Sequence, residues 1–408
     1  MGRENRESLD QGKESESLVI RLEGWIDSHN VEKIKQDVSV QCRQTPHKRV
    51  VFDARELTYI SSAGLRFLVQ IVKNEQEKDN ERVAVVDVSR DVYDIFEMTG
   101  FLGFMDVQRA FREMSVEGCR VIGQGFWGTV YQIDPDTIVK VYSGKESLPM
   151  IKNEQAKAKK ALLRGIPTAI SYDIVKVGND YGSVFELLDA KSINDMVIKH
   201  EMRKDKLEDL MRTYVRCIKQ VHSTEMGEGE LPFARDMFIS YLEKLRDILS
   251  QEMLGKLKDL LEGLPDDLHA VHGDFQMKNV MFCNGEPMLI DMETLSVGQP
   301  IFDLQGLYVT YKAFSEDEPS NTEDFLGIRK ETADYIWQRF MELYFETEDQ
   351  NELRRMEDKI RIVASIRFLF LLVSTSMKDN EYAEVRIKHT REHLVELLDR
   401  VESLWMEQ

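Results

Sequence analysis

Acidic and amide side chains recur between residues 272 and 291 at a spacing that could support phosphoryl transfer. Asp274 follows His272 and Gly273, Asn279 comes five residues later, and Asp291 lies 17 residues after Asp274. Transfer from a nucleotide requires a carboxylate that orients and deprotonates the attacking hydroxyl, together with hard oxygen ligands for Mg²⁺. Asp274 suits the first role, and Asn279 with Asp291 suit the second. Taken singly, each side chain could equally cap a turn or lie in solvent.

A glycine-rich segment lies upstream, in the sequence VEGCRVIGQGFWGTVYQIDPDTIVKVY. Gly123, Gly125 and Gly128 match GxGxxG, a spacing that brings backbone amides close to phosphates in dinucleotide-binding proteins as well as in kinases. Two features favour the kinase alternative. Val130 completes GxGxxGxV, and Lys140 lies in the next predicted strand, TIVKVY, where a phosphate-contacting lysine belongs. A Walker A loop is excluded because no Gly-Lys pair followed by Ser or Thr succeeds the glycines.

Lys140 lies among apolar neighbours, which predicts a buried strand and therefore a need for a counter-charge. The next apolar-periodic segment, Leu148 to Leu163, predicts a helix that carries Glu154 as the candidate partner. Glu146 precedes this helix and is an alternative, and either carboxylate could be an ordinary exposed one. Further on, the apolar stretch PMLI just before Asp291 predicts a hairpin that brings the acidic residues together.

The first 110 residues show a different pattern, in which short β-branched runs alternate with segments of helical periodicity. This alternation predicts a small layered α/β domain. The predicted strands are Leu18 to Leu22, Arg49 to Phe52 and Val83 to Val88, and the predicted helices are Val31 to Val40, Gly64 to Val72 and Asp91 to Met98.

Two serines, Ser61 and Ser62, stand immediately before the second of these helices. Either could be a helix cap, because a serine hydroxyl at this position accepts a hydrogen bond from a free backbone N–H. A phosphate here would also meet free N–H groups and the positive end of the helix dipole, so the position also suits a regulatory phosphorylation site.

Composition limits the classes that remain. A chain of 408 residues is longer than a single hydrophobic core usually supports, so we expect two or three domains. Its composition, 42% hydrophobic and 31% charged residues, is typical of globular proteins. The net charge of −19 argues against nucleic acid as a direct partner. The four cysteines show no CxxC or Cys/His spacing, so we expect no structural disulfide or zinc. No apolar run is long enough to span a membrane, and the polar first 17 residues resemble a disordered arm, so we expect a cytoplasmic protein.

Residues 18 to about 110 resemble a STAS domain, the fold of bacterial anti-sigma factor antagonists. The segments that carry the resemblance are RLEGWIDS, VVFDARELTYISSAGLRFL and IFEMTGF. In that family a partner kinase phosphorylates the serine two positions before the Gly-Leu pair, which is Ser62 in this sequence. Ser61 stands where the family often has Asp. The resemblance implies a regulatory module with an anti-sigma factor or another STAS-interacting protein as partner.

Residues 116 to about 400 resemble the aminoglycoside phosphotransferase and choline kinase-like branch of the protein-kinase-like fold. The sequence lacks HRD, DFG and APE, and Gln276 replaces the lysine of protein kinases, which favours a small hydroxyl-bearing substrate over a protein. By this resemblance, FELLDAKSI links two lobes and holds adenine near Glu186 and Leu188, Asp303 is a structural aspartate, and His222 is a packed structural histidine.

The expected architecture is an α/β STAS domain followed by a bilobal α+β protein-kinase-like domain of the aminoglycoside phosphotransferase type. We expect a disordered arm at 1–17, the STAS domain at 18–112, a kinase-like N-lobe at 113–190 and a helical C-lobe at 191–408. The expected function is ATP- and Mg²⁺-dependent transfer of the γ-phosphoryl group to a small-molecule hydroxyl. Two alternatives remain: a kinase that phosphorylates a STAS-domain serine, its own Ser62 or that of a partner, and a nucleotide-sensing regulatory module of a sigma-factor pathway.

Overall fold

The structure is a computed structural model that describes residues 17–406 except 79, 125–127, 145–146, 188–189, 202, 284, 317 and 375–382. The chain divides into two units, Met1–Met114 and Ser115–Gln408. Most of the predicted arm, residues 1–16, lies outside the described residues, and Ser17 already belongs to the first strand. Among the described residues, no helix combines the length and apolar character that crossing a membrane requires.

The first unit is a parallel four-stranded sheet with three helices between the strands. The sheet order is β1-β2-β3-β4, and the predicted alternation of strand and helix is confirmed. Strand β2 continues eight residues beyond the predicted end at Phe52. The elements are β1 (Ser17–Ile26), α1 (Val31–Gln44), β2 (Arg49–Ile60), α2 (Ser62–Glu77), β3 (Ala84–Val88), α3 (Arg90–Met98) and β4 (Asp106–Arg109); a two-residue strand, Arg112–Glu113, follows.

The start of α2 shows which serine caps the helix. The Ser61 hydroxyl accepts hydrogen bonds from the backbone N–H of Ala63 at 3.2 Å and of Gly64 at 3.4 Å. A Cβ on Gly64 would lie 2.6 Å from the Ile60 side chain, so the helix can approach the sheet only with glycine here. Ser62, the first helical residue, is exposed. The two serines therefore differ: Ser61 is the cap, and Ser62 faces solvent.

The second unit begins with an antiparallel sheet and one long helix. Its strands β5 to β9 lie in the order β8-β9-β7-β6-β5, and the helix α4 packs against β9. Pairing of β6 with β7 sets Val130 opposite Lys140. The elements are β5 (Arg120–Gln124), β6 (Gly128–Asp134), β7 (Thr137–Tyr142), α4 (Ser147–Leu163), β8 (Asp173–Val177) and β9 (Asp180–Glu186).

Helices dominate the remainder, around one continuous apolar core. Small sheets order the loops that carry the polar motifs: β12 and β13 form the predicted hairpin, β10 pairs with β12, and β11 pairs with β14. The strands are β10 (Ala190–Ser192), β11 (Ala270–Val271), β12 (Val280–Cys283), β13 (Glu286–Leu289) and β14 (Ser296–Val297). The helices are α5 (Ile193–His200), α6 (Lys204–His222), α7 (Ala234–Lys244), α8 (Gln251–Glu262), α9 (Ile301–Tyr308), α10 (Asn321–Leu326), α11 (Lys330–Phe345), α12 (Gln350–Ser374) and α13 (Ala383–Leu398). A π-helical turn, Val309–Ala313, and a short turn, Phe314–Glu316, follow α9.

Candidate active site

Lys140 lies between two carboxylates that come from distant parts of the sequence. Its Nζ is 3.4 Å from Glu154 Oε1 and 3.0 Å from Asp291 Oδ1. Strand β7 supplies the lysine, α4 supplies Glu154, and the segment after β13 supplies Asp291. The side chains of Lys140 and Glu154 are 18% and 9% exposed, so this pair is largely removed from water, whereas Asp291 is 37% exposed. The predicted contact with Glu154 is present; the alternative, Glu146, lies outside the described residues.

The environment keeps charge on the lysine and modifies its neighbours. Burial opposes the charge on Lys140, but Glu154 and Asp291 outweigh it and raise the lysine pKa. Burial also raises the pKa of Glu154, and Lys140 offsets only part of that effect. Tyr142 donates a hydrogen bond to Glu154, and burial raises the tyrosine pKa so that it remains a donor. Tyr142 was not anticipated from the sequence, although a residue two positions from Lys140 lies on the same face of a strand.

The loop around Asp274 is fixed by hydrogen bonds among its own side chains. Asn279 Nδ2 donates to the Asp274 backbone oxygen at 2.9 Å and to its Oδ2 at 3.1 Å. Gln276 Nε2 donates to the same Oδ2 at 3.0 Å. The Asn279 carbonyl accepts from the N–H of Ile290, the residue before Asp291, at 3.0 Å. Asn279 therefore links the Asp274 loop to the chain segment that presents Asp291.

The buried carboxylate of Asp303 binds the backbone of the loop that carries Asp274. It accepts hydrogen bonds from the backbone N–H of His272 at 2.9 Å and of Gly273 at 2.6 Å, and from His222 Nε2 at 2.9 Å. Asp303 is fully buried, and His222 Nδ1 lies 2.8 Å from the Tyr344 hydroxyl. Both residues thus occupy packed positions, in keeping with the structural roles that the family resemblance implied.

Gly273 must be glycine for two independent reasons. Its φ is +83°, in the left-handed region that side chains disfavour, and a Cβ would lie 2.7 Å from the Thr294 carbonyl oxygen. The Thr294 hydroxyl in turn donates to the His272 carbonyl at 2.8 Å. Asp291 also has a left-handed backbone, with φ 65°, a strained conformation for a residue with a side chain. The loops that carry Asp274 and Asp291 are therefore held against each other in special backbone geometries.

Two further residues near Asp291 were not anticipated from the sequence. Lys157 Nζ donates to the Glu293 carbonyl oxygen at 2.6 Å, and burial lowers the lysine pKa. Burial, with Asp291 nearby, raises the pKa of the Glu293 carboxyl. Lys157 lies three residues after Glu154 on the same helix face, a spacing that could have indicated it. Glu293 has no comparable sequence signal, since only tertiary packing partly buries it.

The glycine-rich segment is partly described. Gly123 on β5 is paired with Val130 on β6. A Cβ at Gly123 would lie 3.6 Å from the Val130 side chain, an ordinary contact distance, so packing does not require glycine at this position. Gly128 differs, because a Cβ would lie 2.3 Å from the Val141 carbonyl oxygen. Its identity is thus explained by strand packing. Gly125 lies outside the described residues.

The predicted linker begins where β9 ends. Glu186 is the last residue of β9 and is exposed, and the following Leu187 donates its backbone N–H to the Asp136 carbonyl at 2.7 Å. Leu188 lies outside the described residues. The chain then enters β10, which pairs with β12 of the helical part, so this segment does connect the two sheets.

Asn279 and Asp291 carry oxygen atoms of the type that a hard divalent cation takes. Asn279 turns its amide nitrogen toward Asp274, which leaves its side-chain oxygen available. Asp291 uses Oδ1 for Lys140, which leaves Oδ2 available on a partly exposed carboxylate. Amide and carboxylate oxygens are ligands that Mg²⁺ takes in proteins, together with water and phosphate oxygens.

Comparison with known proteins identifies both parts of the chain. Residues 10–114 match the STAS domain model, and residues 118–339 match the model of the phosphotransferase enzyme family. The second match spans more than half of the chain, so this protein belongs to the phosphotransferase enzyme family and carries an N-terminal STAS domain. The predicted fold, an α/β STAS domain followed by a kinase-like phosphotransferase domain, is confirmed.

Individual known proteins are similar to each part of the chain. The first part is 33% identical over 90 residues to the Bordetella bronchiseptica protein named "Putative anti-sigma factor antagonist BtrV". The matched region covers 22% of this chain and 76% of that protein. ADP-bound aminoglycoside phosphotransferase APH(2'')-Ib superposes with a TM-score of 0.48 at 17% identity, over 75% of this chain and 98% of that one. A choline/ethanolamine kinase family protein from Mesorhizobium loti superposes with a TM-score of 0.45 at 16% identity, over 69% of this chain and 91% of that one.

Proposed function

We propose that this protein transfers the γ-phosphoryl group of ATP to a hydroxyl of a small molecule in a Mg²⁺-dependent reaction, and that its STAS domain is regulatory. The observation that carries the proposal is the arrangement around Lys140, which lies within 3.4 Å of Glu154 and 3.0 Å of Asp291. A lysine paired with a helix glutamate and next to a metal-binding type of aspartate is the arrangement that protein kinases use for phosphoryl transfer from ATP. The reaction would take place in the cytoplasm, where ATP is available.

Asp274 is the proposed base. Two donors, Gln276 and Asn279, hold its Oδ2, so the carboxylate has a fixed orientation and its Oδ1 remains for the acceptor hydroxyl. Fixing this group in advance lowers the entropy cost of reaching the reactive geometry. In this assignment Asp274 orients the hydroxyl and accepts its proton as the oxygen attacks phosphorus.

Lys140 is the proposed phosphate contact, with the amides of the Gly123–Gly128 segment and the Val130 side chain beside the nucleotide. Glu154 keeps the lysine side chain extended into the site, which a flexible four-carbon stem would not maintain alone. The linker near Glu186 and Leu188 is the proposed adenine-binding segment. Asn279 and Asp291 would hold Mg²⁺, which neutralises phosphate charge when bound.

An Asp274→Asn variant tests the assignment. The side chain keeps its size, and its single oxygen can still accept hydrogen bonds from Gln276 and Asn279, but it can no longer take a proton. We therefore expect phosphoryl transfer to fall by about 10²–10⁴-fold with ATP binding retained. A coupled ATP-consumption screen over aminoglycosides, amino alcohols, sugars and nucleosides would identify an acceptor first. Asp266→Asn, an exposed aspartate paired with Arg235, is the matched control. Full turnover in Asp274→Asn would refute the role of base.

The exposed position of Ser62 supports a second candidate function, in which the kinase-like domain phosphorylates a STAS serine. Ser62 is exposed at the first turn of α2, where the helix dipole favours a phosphate. Attachment to one chain would raise the effective concentration of a weak substrate. Intact-mass measurement after incubation with ATP and Mg²⁺ should show an increase of about 80 Da that Ser62→Ala abolishes and Ser61→Ala retains. No mass increase in any condition would exclude this candidate.

A further inference from the structure

Three potential metal ligands meet in the STAS domain, far along the chain from the phosphotransferase motifs. Cys42 lies in the last turn of α1, His47 in the loop that follows, and Glu75 in the last turn of α2. One donor atom from each residue lies within 4.8 Å of the other two, and no other such group occurs among the residues that the structure describes. The His47 and Glu75 side chains are only 3% and 2% exposed.

We propose that Cys42, His47 and Glu75 form a zinc site in the STAS domain. A thiolate, an imidazole and a carboxylate together are the donors that Zn²⁺ takes in proteins, with a water molecule completing four-coordination. The spacing of the cysteines gave no indication of such a site, because the three donors come from separate elements and only the packing of α1 against α2 brings them together.

The hydrogen bonds around His47 favour a metal ligand. His47 Nδ1 lies 2.7 Å from the Thr45 carbonyl oxygen, which can only accept, so Nδ1 carries a hydrogen. This contact fixes the ring and directs Nε2 toward Glu75 Oε2, at 2.9 Å. A backbone carbonyl that holds the distal ring nitrogen is the usual support of a metal-bound histidine.

Glu75 has a supporting shell of the same kind. Lys78 Nζ donates to its Oε1 at 2.8 Å, and Asn80 Nδ2 donates to its Oε2 at 2.6 Å. Metal-binding carboxylates are commonly held by such donors. The remaining lone pair of Oε2 faces His47, on the side where Cys42 also lies.

Charge balance permits a cation in this buried place. Without metal, a proton must lie between His47 Nε2 and Glu75 Oε2, and Cys42 carries its thiol proton. Zn²⁺ would replace these two protons, so the net charge of the cluster stays the same and no uncompensated charge is buried. Zinc bonds of about 2.0–2.3 Å require donor separations of about 3.3–3.7 Å, so Nε2 and Oε2 would separate by roughly half an ångström.

The test is zinc binding by the full-length, tag-free protein after chelation and equilibrium dialysis. We expect one zinc per chain in the wild type, at least a tenfold weaker affinity in Cys42→Ala, and unchanged binding in Cys119→Ala, a control cysteine outside the cluster. Co²⁺ in place of Zn²⁺ should give the near-ultraviolet thiolate-to-metal absorption, which Cys42→Ala removes.

His47→Gln provides a second measurement if one variant folds poorly. Circular dichroism and thermal unfolding of the metal-free proteins show whether each variant is folded, and zinc should raise the unfolding temperature only where the cluster is intact. No zinc bound by the wild type, or equal binding by wild type and folded Cys42→Ala, would overturn the proposal. Either result would mean that His47 and Glu75 form an ion pair only.

Discussion

Replacing Lys140 with methionine should destabilise the phosphotransferase domain in a pH-dependent way. The substitution keeps the length and apolar stem of the side chain but removes the charge that lies 3.4 Å from Glu154 Oε1. At an effective dielectric constant of about 20, two unit charges at this separation attract by about 5 kcal/mol. The loss of this attraction is partly offset, because burying a methionine side chain avoids the cost of desolvating an ammonium group.

The net cost should follow that of removing one partner from a buried ion pair, about 3–5 kcal/mol. For a domain of this size, that corresponds to a decrease of unfolding temperature on the order of 5–10 °C. Asp291 adds less than its 3.0 Å separation suggests, because it is 37% exposed and solvent screens its charge. The loss of the contact with Glu154, whose side chain is 9% exposed, therefore accounts for most of the expected destabilisation.

The sign of the pH dependence follows from Glu154. Burial already raises its pKa above the ordinary 4.5, and loss of Lys140 removes the opposing attraction and raises it further. Above pH 4.5 the folded variant then binds more protons than the unfolded chain, so its free energy of unfolding falls as pH rises through the raised pKa. The destabilisation by Lys140→Met should thus be large at pH 8 and smaller at pH 5.5.

Differential scanning calorimetry of the full chain at the two pH values is the assay, with Lys206→Met as the matched control. Lys206 lies 3.9 Å from Asp209 in an exposed pair, which should contribute little at either pH. Equal losses for the two variants at pH 8, or a loss for Lys140→Met that does not shrink on acidification, would refute the reasoning.

Three other predictions concern single features. The Asp303→Asn variant can accept only some of the three hydrogen bonds that Asp303 accepts. We therefore expect the free energy of unfolding in urea to fall by about 2–3 kcal/mol and kcat to decrease. Unchanged values of both would contradict the role of Asp303 in fixing the loop. Gly128→Ala should cost about 1–3 kcal/mol, because its Cβ would lie 2.3 Å from a carbonyl oxygen, whereas Gly255→Ala, in open space on α8, should be neutral or stabilising; equal effects in thermal unfolding would count against this. Burial raises the pKa of Cys217 to about 11, so iodoacetamide at pH 8 should label it far more slowly in the native than in the unfolded protein, and equal labelling rates by mass spectrometry would show that the thiol is not shielded.

The sequence was most informative where a pattern and its partner lie close together. The β12–β13 hairpin, the strand that carries Lys140 and the helix that carries Glu154 all follow from local periodicity. The alternation of strands and helices in the STAS domain is equally local. In such segments hydrophobic periodicity and turn residues determine the element, whatever the rest of the chain does.

The roles of single residues depend on tertiary contacts that the sequence does not show. The sequence left Ser61 and Ser62 as equal candidates for the cap, and only the hydrogen bonds of Ser61 separate them. Gly128 matches a phosphate-loop pattern, yet its closest constraint is the Val141 carbonyl on the neighbouring strand. A motif specifies residue types, but strand register decides what each residue contacts.

What the sequence by itself determined is the pair of domains, their fold classes and the residue types of the candidate active site. What only the tertiary structure decided is which groups meet: Lys140 with Asp291, 151 residues apart, Asp303 with the Asp274 loop, and Cys42 with His47 and Glu75. The reason is physical. Secondary structure depends on neighbours along the chain, whereas the charge balance and protonation of a buried site depend on side chains that only the packed core brings together.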